Sequence, residues 1–379
     1  MTYNRTLLAF FFLLNILFSL KLWVGIRSFP AIPIYDWLTL GDYIELIFFL
    51  LLVFSLLVLV FSTLHRRFII VFVVLSLVVL ALADQMKLQP WVYFFWLVFM
   101  PFAIMKSLEK RGSEVLLFIK GVLICLYLWG GIHKLVQGFS FQIFPIILND
   151  LGVSGLVDLD SNFREIGYFI PVFEVCTALF LLIGYTRKIG IVSAILCHLS
   201  ILLFLAFSKN INTVVIPWNI YLIGLVLILF WRKTTLVRID NKNQRYSQVL
   251  LLVILSIVAL CPLTFYLNKW DYYLAFNLYS GQYPRLQIAV DDQYKGFIEG
   301  AYGDYIIQND QLGGGVIIEV NKWALEELNV PVPPEDRIFK QISRSFCKMR
   351  LDNEAVYFVV LKPPYEAQNY TSWQCSQLK

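Results

Sequence analysis

Nine long apolar runs constrain this chain more than any other feature of its sequence. A helix that crosses a bilayer needs roughly 20 mostly apolar residues, because the hydrocarbon layer is about 30 Å thick and each helical residue rises about 1.5 Å. Apolar residues make up 59% of the 379-residue chain and charged residues only 15%, a balance that excludes a soluble enzyme. Transmembrane helices are therefore predicted at residues 6–26, 43–63, 68–84, 91–106, 115–133, 168–185, 188–208, 214–231 and 248–268.

The distribution of Lys and Arg between these runs predicts the orientation of the bundle. Cytoplasmic loops of membrane proteins retain positive charge. The cations gather in four connections, at 66–67, 106–111, 187–188 and 232–245, which alternate with connections that hold few cations. We therefore expect a multi-pass protein of the cell membrane with a cytoplasmic N-terminus. The net charge of +5 reflects this orientation and attraction to anionic lipid, and it does not indicate nucleic-acid binding.

The composition changes after the last apolar run. An odd number of crossings puts everything after residue 268 outside the cytoplasm, where residues 269–379 are predicted to fold as an α+β domain. The chain is thus divided into an all-α polytopic helix bundle, 1–268, and an extracytoplasmic domain, 269–379. Alternating or β-rich segments predict strands at 285–290, 304–308, 315–320 and 355–361, and residues 336–349 are predicted to form a helix.

The predicted external domain contains two of the six cysteines, Cys347 and Cys375. In an oxidising compartment these two are candidates for a disulfide, but their spacing leaves the bonded and the free state equally open, since the Cα atoms must come within about 7 Å. The other four cysteines lie in apolar runs, where a thiol behaves as a small hydrophobe. The chain has three histidines without metal-ligand spacing, so no metal site is predicted.

Several polar side chains interrupt the apolar runs. An ionisable group at membrane depth costs roughly 2.5 to 3.5 kcal/mol on insertion scales, so each such group needs a partner, a water-filled cavity or a function. The predicted topology places most of them in the outer half of the bundle, where they are expected to line one cavity. The candidate catalytic residues are Lys134, His133, His198 and Glu174, and the candidate cofactor-binding residues are Trp218, Asn219 and Asn212.

A structural alternative exists for the same residues. Lys134 can extend to the membrane interface with Glu174 as its partner, and His198 can be a satisfied hydrogen-bonding residue between helices. The sequence leaves the functional and the structural alternatives open.

Some of these residues carry a resemblance to known families. The segment YLWGGIHKL at 127–135, followed by PVFE at 171–174 and LIGYTR at 182–187, resembles the DoxX/MauE-like membrane families. The same segments, continued through His198 and the stretch 212–219, are similar to the HTTM membrane domain related to vitamin K-dependent gamma-carboxylase.

Each resemblance implies roles for particular residues. The carboxylase resemblance implies that Lys134 is a general base and that His198 matches a family histidine, while His133 stands where that family has a lysine. The DoxX/MauE resemblance matches Glu174 and Arg187, and it implies a small membrane partner of redox or quinone-linked systems. A lipid-soluble quinone or quinol is the cofactor that these resemblances suggest.

The distance between Lys134 and Glu174 decides which chemistry is available. A lysine acts as a base only when it is neutral, and an apolar site favours the neutral form. A carboxylate within about 4 to 6 Å acts in the opposite direction and favours a structural or anion-binding role. If the two groups are apart, Lys134 is a plausible base for a hydroquinone, with His133 or His198 holding an oxygen or relaying a proton.

Three functions follow from the sequence. The first is a redox- or quinone-associated membrane partner whose external domain docks another protein. The second is a carboxylase-like or quinol-dependent membrane enzyme with Lys134 as general base. The third is a transporter, although few charges lie in the inner halves of the runs. No nucleotide-binding or serine-hydrolase motif occurs in the sequence.

Overall fold

The computed structural model describes residues 2–25, 27–62, 66–105, 112–153, 161–208, 212–231, 242–307, 315–348, 354–365 and 369–378. The cation-rich connection at 106–111 and most of the connection at 232–245 lie outside these ranges. The helices of the bundle are α1 (Thr2–Phe18), α2 (Leu20–Val24), α3 (Asp42–Phe61), α4 (Arg66–Ala83), α5 (Pro90–Ile104), α6 (Gly112–Lys134), α7 (Phe144–Asp150), α8 (Ser161–Glu165), α9 (Phe169–Leu182), α10 (Arg187–Phe207), α11 (Val215–Phe230) and α12 (Lys242–Leu260), which continues as a 3-10 helix (Cys261–Leu267).

Five helical segments among the described residues are long and apolar enough to cross a membrane. They are Tyr43–Phe61, Ser113–Lys134, Phe163–Leu182, Arg187–Phe207 and Arg245–Leu267. The other predicted runs contain shorter apolar helices, Arg5–Phe18, Arg67–Ala83, Pro90–Ile104 and Val215–Phe230. The prediction of a helical protein with membrane-length apolar helices is confirmed in this coarser form, whereas the count of nine crossings and the orientation stay predictions.

Two of the predicted helices have interruptions with a physical cause. The run at 6–26 breaks at Ser19, whose backbone leaves the helical region and whose hydroxyl donates to the carbonyl of Asn15 at 2.9 Å. A serine hydroxyl that bonds to the preceding turn competes with helix geometry. The run at 248–268 tightens into a 3-10 helix at Pro262, because proline has no N–H to continue the α-helical ladder.

The C-terminal domain contains a five-stranded antiparallel sheet and three helices. The elements are β1 (Arg285–Val290), α13 (Lys295–Tyr302), β2 (Ile306–Ile307), β3 (Val316–Glu319), α14 (Val320–Leu328), α15 (Asp336–Phe346), β4 (Val356–Leu361) and β5 (Tyr370–Gln374). The strand order in the sheet is β2-β3-β1-β4-β5. Segments at all four predicted strand positions are extended, although β3 gives way to a helix at Val320. One strand and two helices, β5, α13 and α14, were not predicted.

Helices α14 and α15 form a layer between the sheet and the bundle. On the bundle side, Glu327 of α14 accepts hydrogen bonds from Ser28, and Gln341 of α15 donates to the carbonyl of Pro33 at 2.6 Å. On the sheet side, the ring of Phe346 packs against that of Phe358 with centroids 6.2 Å apart. The opposite face of the sheet is therefore directed away from the bundle. We call the end of the bundle that contacts this domain the domain end.

A pair of glycines sets how closely the C-terminal domain approaches the bundle. A Cβ on Gly138, just after α6, would lie 2.8 Å from the backbone carbon of Gly281. Gly281 has a φ of +69°, which favours glycine for conformational reasons as well. Backbone therefore meets backbone at this contact.

The predicted disulfide candidates are joined in the structure. Cys347, directly after α15, is bonded to Cys375, directly after β5, and their Cα atoms are 5.7 Å apart. The bond ties the last strand of the sheet to the helical layer.

Candidate functional site

Lys134 and Glu174 form an ion pair between α6 and α9. The Lys134 Nζ lies 2.7 Å and 2.8 Å from the two carboxylate oxygens of Glu174. The two side chains are only 12% and 11% exposed. Of the two arrangements considered from the sequence, the structure has the close pair, which occupies the amine. The geometry therefore favours a structural or anion-binding role over a free base.

Two adjacent glycines on α6, Gly130 and Gly131, precede Lys134 and lie where α6 comes close to α9. A Cβ on Gly131 would lie 2.8 Å from the carbonyl oxygen of Pro171 and 2.9 Å from the backbone nitrogen of Val175. A Cβ on Gly130 would lie 3.6 Å from the Glu174 carboxylate and 4.0 Å from the carbonyl oxygen of Phe276, which are ordinary contact distances. Gly131 is therefore required for the helix contact, whereas Gly130 borders the ion pair.

His198, on α10, belongs to a hydrogen-bond chain that joins three helices. Its Nε2 lies 2.6 Å from the hydroxyl of Tyr127 on α6, and its Nδ1 lies 2.7 Å from Oδ1 of Asn219 on α11. The Asn219 amide nitrogen donates to the carbonyl of Val215 at 2.7 Å, so Oδ1 is the acceptor for His198. The imidazole thus donates from Nδ1 and accepts at Nε2, and both of its nitrogens are satisfied in the neutral form.

The ion pair and the hydrogen-bond chain lie within electrostatic range of each other. The charge of Lys134 interacts electrostatically with His198, and the charge of Glu174 interacts with Tyr127. Together with Asn219 these side chains form what we call the bundle network. The structure thus brings three of the four candidate catalytic residues together as a packed network, each with a protein partner.

His133 points away from its neighbour Lys134. It is 2% exposed, and its ring stacks on Trp129 with centroids 5.5 Å apart. Its Nδ1 faces the hydroxyl of Tyr266 at 3.2 Å. Its Nε2 is buried without a well-formed hydrogen bond to any described residue, with the backbone of Ala275 beside the ring. His133 alone of the candidate catalytic residues borders the large cavity described next.

A cavity of about 1040 Å³ lies between the domain end of the bundle and the C-terminal domain. We call it the interdomain cavity. The bundle contributes His133, Val136, Phe265 and Tyr266 to its walls. The rest of the lining comes from the connecting segment between the 3-10 helix and β1 and from the turns before α15 and after β4. Neither part of the chain encloses this space by itself.

The walls of the interdomain cavity contain a partly exposed charge cluster. Arg337 donates to both carboxylate oxygens of Asp271, at 2.8 Å for the Nη1–Oδ1 contact, and lies 3.6 Å from Glu335. The Glu335 carboxylate also accepts from the backbone N–H of Tyr272 at 2.8 Å. Burial, together with the nearby charge of Asp271, raises the pKa of Glu335 to about 7. Glu335 therefore changes charge near neutral pH.

The other two candidate cofactor-binding residues lie outside the bundle network. The ring of Trp218 packs against Phe94 with centroids 6.3 Å apart. Asn212 precedes α11 and hydrogen-bonds Tyr279 of the connecting segment. The indole nitrogen of Trp218 and Oδ1 of Asn212 are buried without a partner among the described residues. Asn219 is thus the single residue of the three that joins the network.

A second buried group, the four-charge cluster, was not predicted as a unit. It consists of Arg27, Glu45, Asp84 and Lys87, all at the domain end. Arg27 pairs with Asp84 at 2.5 Å, and Lys87 pairs with Glu45 and lies 3.5 Å from Asp84. Burial by itself would raise the pKa of Asp84, but the charges of Arg27 and Lys87 outweigh it and lower that pKa. Two cations and two anions cancel, so this is a neutral, closed cluster.

Sequence reasoning missed the four-charge cluster because its members come from three separate parts of the chain: Arg27 follows α2, Glu45 lies in α3, and Asp84 and Lys87 follow α4. The spacing of three residues between Asp84 and Lys87 is a local signal for that one pair. Nothing in the sequence indicated that Arg27 and Glu45 meet them. Among the described residues no group of three or more His, Cys, Asp or Glu side chains is placed to hold a metal ion.

Comparisons with protein-family models, with curated proteins and with solved structures gave no match to this chain. The resemblance to the DoxX/MauE and HTTM families therefore stays a prediction.

Proposed function

We propose that the protein is a membrane-anchored binding protein, which takes the polar head of a membrane-resident amphipathic molecule into the interdomain cavity. One observation carries this proposal: the bundle and the C-terminal domain enclose the cavity jointly at the end of a membrane-length helix. A concave space between two parts of a chain, towards which several polar groups converge, is a usual place for a small-molecule site.

The position of the cavity supports a ligand that arrives from the bilayer. The 3-10 helix at the end of the candidate span Arg245–Leu267 provides Phe265 and Tyr266 to the cavity wall. In the same helix, Leu263 and Leu267 are exposed, at 56% and 69%. Exposed leucines next to a candidate span are suited to lipid contact, so the cavity borders the hydrocarbon.

We infer that the cavity lies on the outer side of the membrane. The disulfide between Cys347 and Cys375 supports an oxidising compartment for the C-terminal domain. The cation-rich connection at 187–188 follows α9 at the end of that helix remote from the domain, in agreement with the positive-inside rule. The molecule is on this basis a protein of the cell membrane with its binding site outside the cytoplasm.

A lipid-soluble quinone is one ligand of the required amphipathic type, and the predicted link to quinone systems is kept in this form. Catalysis by Lys134 is not favoured, because Glu174 occupies its amine. Transport is not favoured either, because the bundle network is packed and each of its polar groups has a protein partner.

The proposal is tested by partly filling the cavity. Gln282 lines the cavity and is exposed, so a Gln282→Trp substitution reduces the space without disturbing a buried contact. Gln293, exposed on the C-terminal domain away from the cavity, provides the matched Gln293→Trp control. After mild detergent extraction, co-purified lipids are identified by mass spectrometry. We expect one lipid class to be enriched with the native and control proteins and to be depleted by Gln282→Trp; equal recovery from all three contradicts the proposal.

A second candidate function is docking of another protein outside the membrane. The observation that favours it is the sheet face directed away from the bundle, where Tyr357 of β4 is 47% exposed. A Tyr357→Lys substitution is then expected to release a co-purifying protein, while Phe297→Lys, at another exposed aromatic residue of the domain, is expected to retain it. Retention by both variants argues against docking at this face.

A further inference from the structure

We propose that the interdomain cavity binds the sugar headgroup of a glycolipid, while the acyl chains of that lipid stay in the bilayer. This inference rests on the proposed function and names the ligand class of the same site. It differs from the quinone alternative in the chemistry of the headgroup, and four properties of the cavity support it.

The first property is size. A volume of about 1040 Å³ is at the upper end of the range of about 300–1,000 Å³ that small-molecule sites occupy. A single quinone ring leaves most of that space to water. A headgroup of two or more sugar rings fills it better.

The second property is charge balance. Three cationic residues line the cavity, Lys269, Arg337 and Lys362, and so do three acidic residues, Asp271, Glu335 and Asp336. Because Glu335 is partly protonated near neutral pH, the three positive and three negative formal charges nearly cancel. A headgroup with a net negative charge, such as that of an anionic phospholipid, gains little from such a wall. An uncharged headgroup fits it without an electrostatic penalty.

The third property is the mixture of donors and acceptors. Arg337 and Asp271 hold each other in a bidentate pair, so their remaining hydrogen-bonding positions have fixed directions. In the cavity wall, Trp270 Nε1 is a buried donor and Asn277 Oδ1 a buried acceptor, and neither has a partner among the described residues. A hydroxyl group both donates and accepts, so a hydroxyl-rich ring suits a wall in which donors and acceptors are mixed.

The fourth property is the aromatic content of the same walls. Phe265, Tyr266, Trp270 and Tyr272 all line the cavity, and the rings of Phe265 and Tyr272 meet edge to face with centroids 4.6 Å apart. A sugar ring has polar hydroxyls at its rim and C–H groups on its faces. Aromatic faces pack against such C–H groups while the polar tips of Tyr and Trp hydrogen-bond at the rim.

The test is a direct competition between headgroups. The full chain is incorporated into phosphatidylcholine nanodiscs that contain equal small amounts of a digalactosyl diacylglycerol, an isoprenoid benzoquinone and phosphatidylglycerol. Retained lipids are then measured by native mass spectrometry after release into a polyoxyethylene detergent. Maltoside and glucoside detergents are avoided because their own sugar heads compete for the proposed site, and added dodecyl maltoside serves as a competitor.

We expect the digalactosyl lipid to be retained at least about tenfold over phosphatidylcholine and to be displaced by dodecyl maltoside. Trp270→Ala is expected to lower this retention about tenfold, whereas Trp270→Phe, which keeps an aromatic face, is expected to stay within about threefold of the native protein. Trp231→Ala, at an exposed residue of the opposite bundle end, is the control and should change nothing. An unchanged elution profile and helical content show that each variant is folded.

The possible failures are distinguishable. Preferential retention of the quinone or of phosphatidylglycerol overturns the sugar assignment and leaves the proposed binding function standing. Retention of no lipid class above phosphatidylcholine overturns both. Equal retention of the digalactosyl lipid by native protein and Trp270→Ala also overturns the assignment, since the aromatic wall then plays no part.

Discussion

The four-charge cluster and the interdomain cavity both lie at the domain end of the bundle, but they differ in whether their buried polar atoms have hydrogen-bond partners. In the cluster, Asp84 is fully buried and is satisfied by Arg27, Lys87 and two backbone N–H groups. Around the cavity, Trp270 and Asn277 each keep a buried polar atom without a partner among the described residues. Saturated groups hold a structure together, whereas unsatisfied groups beside an open space leave interactions for a ligand.

The largest expected effect comes from opening the saturated cluster. Asp84→Asn removes a negative charge between Arg27 and Lys87 and leaves two buried cations with one anion. Breaking a buried ion pair by removing one partner costs about 3–5 kcal/mol, and we expect a loss of that size in the free energy of unfolding. Denaturant unfolding of the detergent-solubilised protein measures it. Asp292→Asn, at an exposed acid, is the control, and an equal effect of both substitutions would show that the cluster is not stabilising.

The next expected effect is a gain in the free energy of unfolding, and it concerns Glu335 in the wall of the interdomain cavity. The folded-state pKa of Glu335 is about 7, above its ordinary value of 4.5, so its contribution to stability is fully present below about pH 4.5 and is lost as the pH rises through 7. Glu335→Gln removes this loss and keeps the acceptor for the Tyr272 N–H. We expect the variant to be more stable than the native protein at pH 8, by at most about 3 kcal/mol, and to show no such gain at pH 5.

Thermal unfolding across that pH range checks the prediction. The charged groups around Glu335 are Asp271, Asp336 and Arg337. A gain that is independent of pH would mean that the titration of Glu335 is not its cause.

A smaller loss is expected at the helix contact that positions the bundle network. Gly131→Ala places a methyl group 2.8 Å from the Pro171 carbonyl oxygen and 2.9 Å from the Val175 nitrogen, and overpacking of this kind costs about 1–3 kcal/mol. Gly130→Ala is a matched control one residue earlier, because its nearest neighbour is the Glu174 carboxylate at 3.6 Å. Equal unfolding midpoints for the two alanine variants would contradict the required close approach of α6 and α9.

The smallest effect is expected in the wall of the interdomain cavity. Tyr266 is 55% exposed, and its hydroxyl makes only a long contact with His133, at 3.2 Å. Tyr266→Phe is therefore expected to change the free energy of unfolding by less than about 0.5 kcal/mol. The same unfolding assay measures this change. A loss above 1 kcal/mol would show that the Tyr266 hydroxyl stabilises the fold, as the side chains of the four-charge cluster do.

The sequence predicted those features that depend on local patterns. Apolar runs located the long helices of the bundle but not the short helices α7 and α8, and alternation located β1 and β4, because helix and strand periodicity are properties of consecutive residues. The break at Ser19 escaped prediction, since a polar residue within an apolar run is more often tolerated than disruptive. Strand β5 (Tyr370–Gln374) escaped because it is an edge strand with few buried residues and so has no marked alternation.

The candidate site was harder to predict, for a physical reason. Lys134, Glu174 and His198 attract notice because charge within an apolar run is costly, but the same cost also drives such groups to pair with each other. The sequence therefore allowed the ion pair of Lys134 and Glu174 as one alternative, but the distance between the two side chains was needed to decide between the alternatives. The interdomain cavity is built from segments far apart in the chain, and no local pattern at Trp270 or Arg337 indicates that they face the end of α6.

The contact between Gly138 and Gly281 has a consequence for ligand choice. Because two backbones touch there, the height of the C-terminal domain above the helix ends is set by main-chain dimensions and has little freedom to adjust. The pocket floor consequently sits at one depth relative to the acyl chains. A headgroup held too close to the hydrocarbon, or too far from it by a long spacer, does not contact the aromatic wall. The distance between headgroup and acyl chains therefore contributes to ligand selection together with the chemistry of the headgroup.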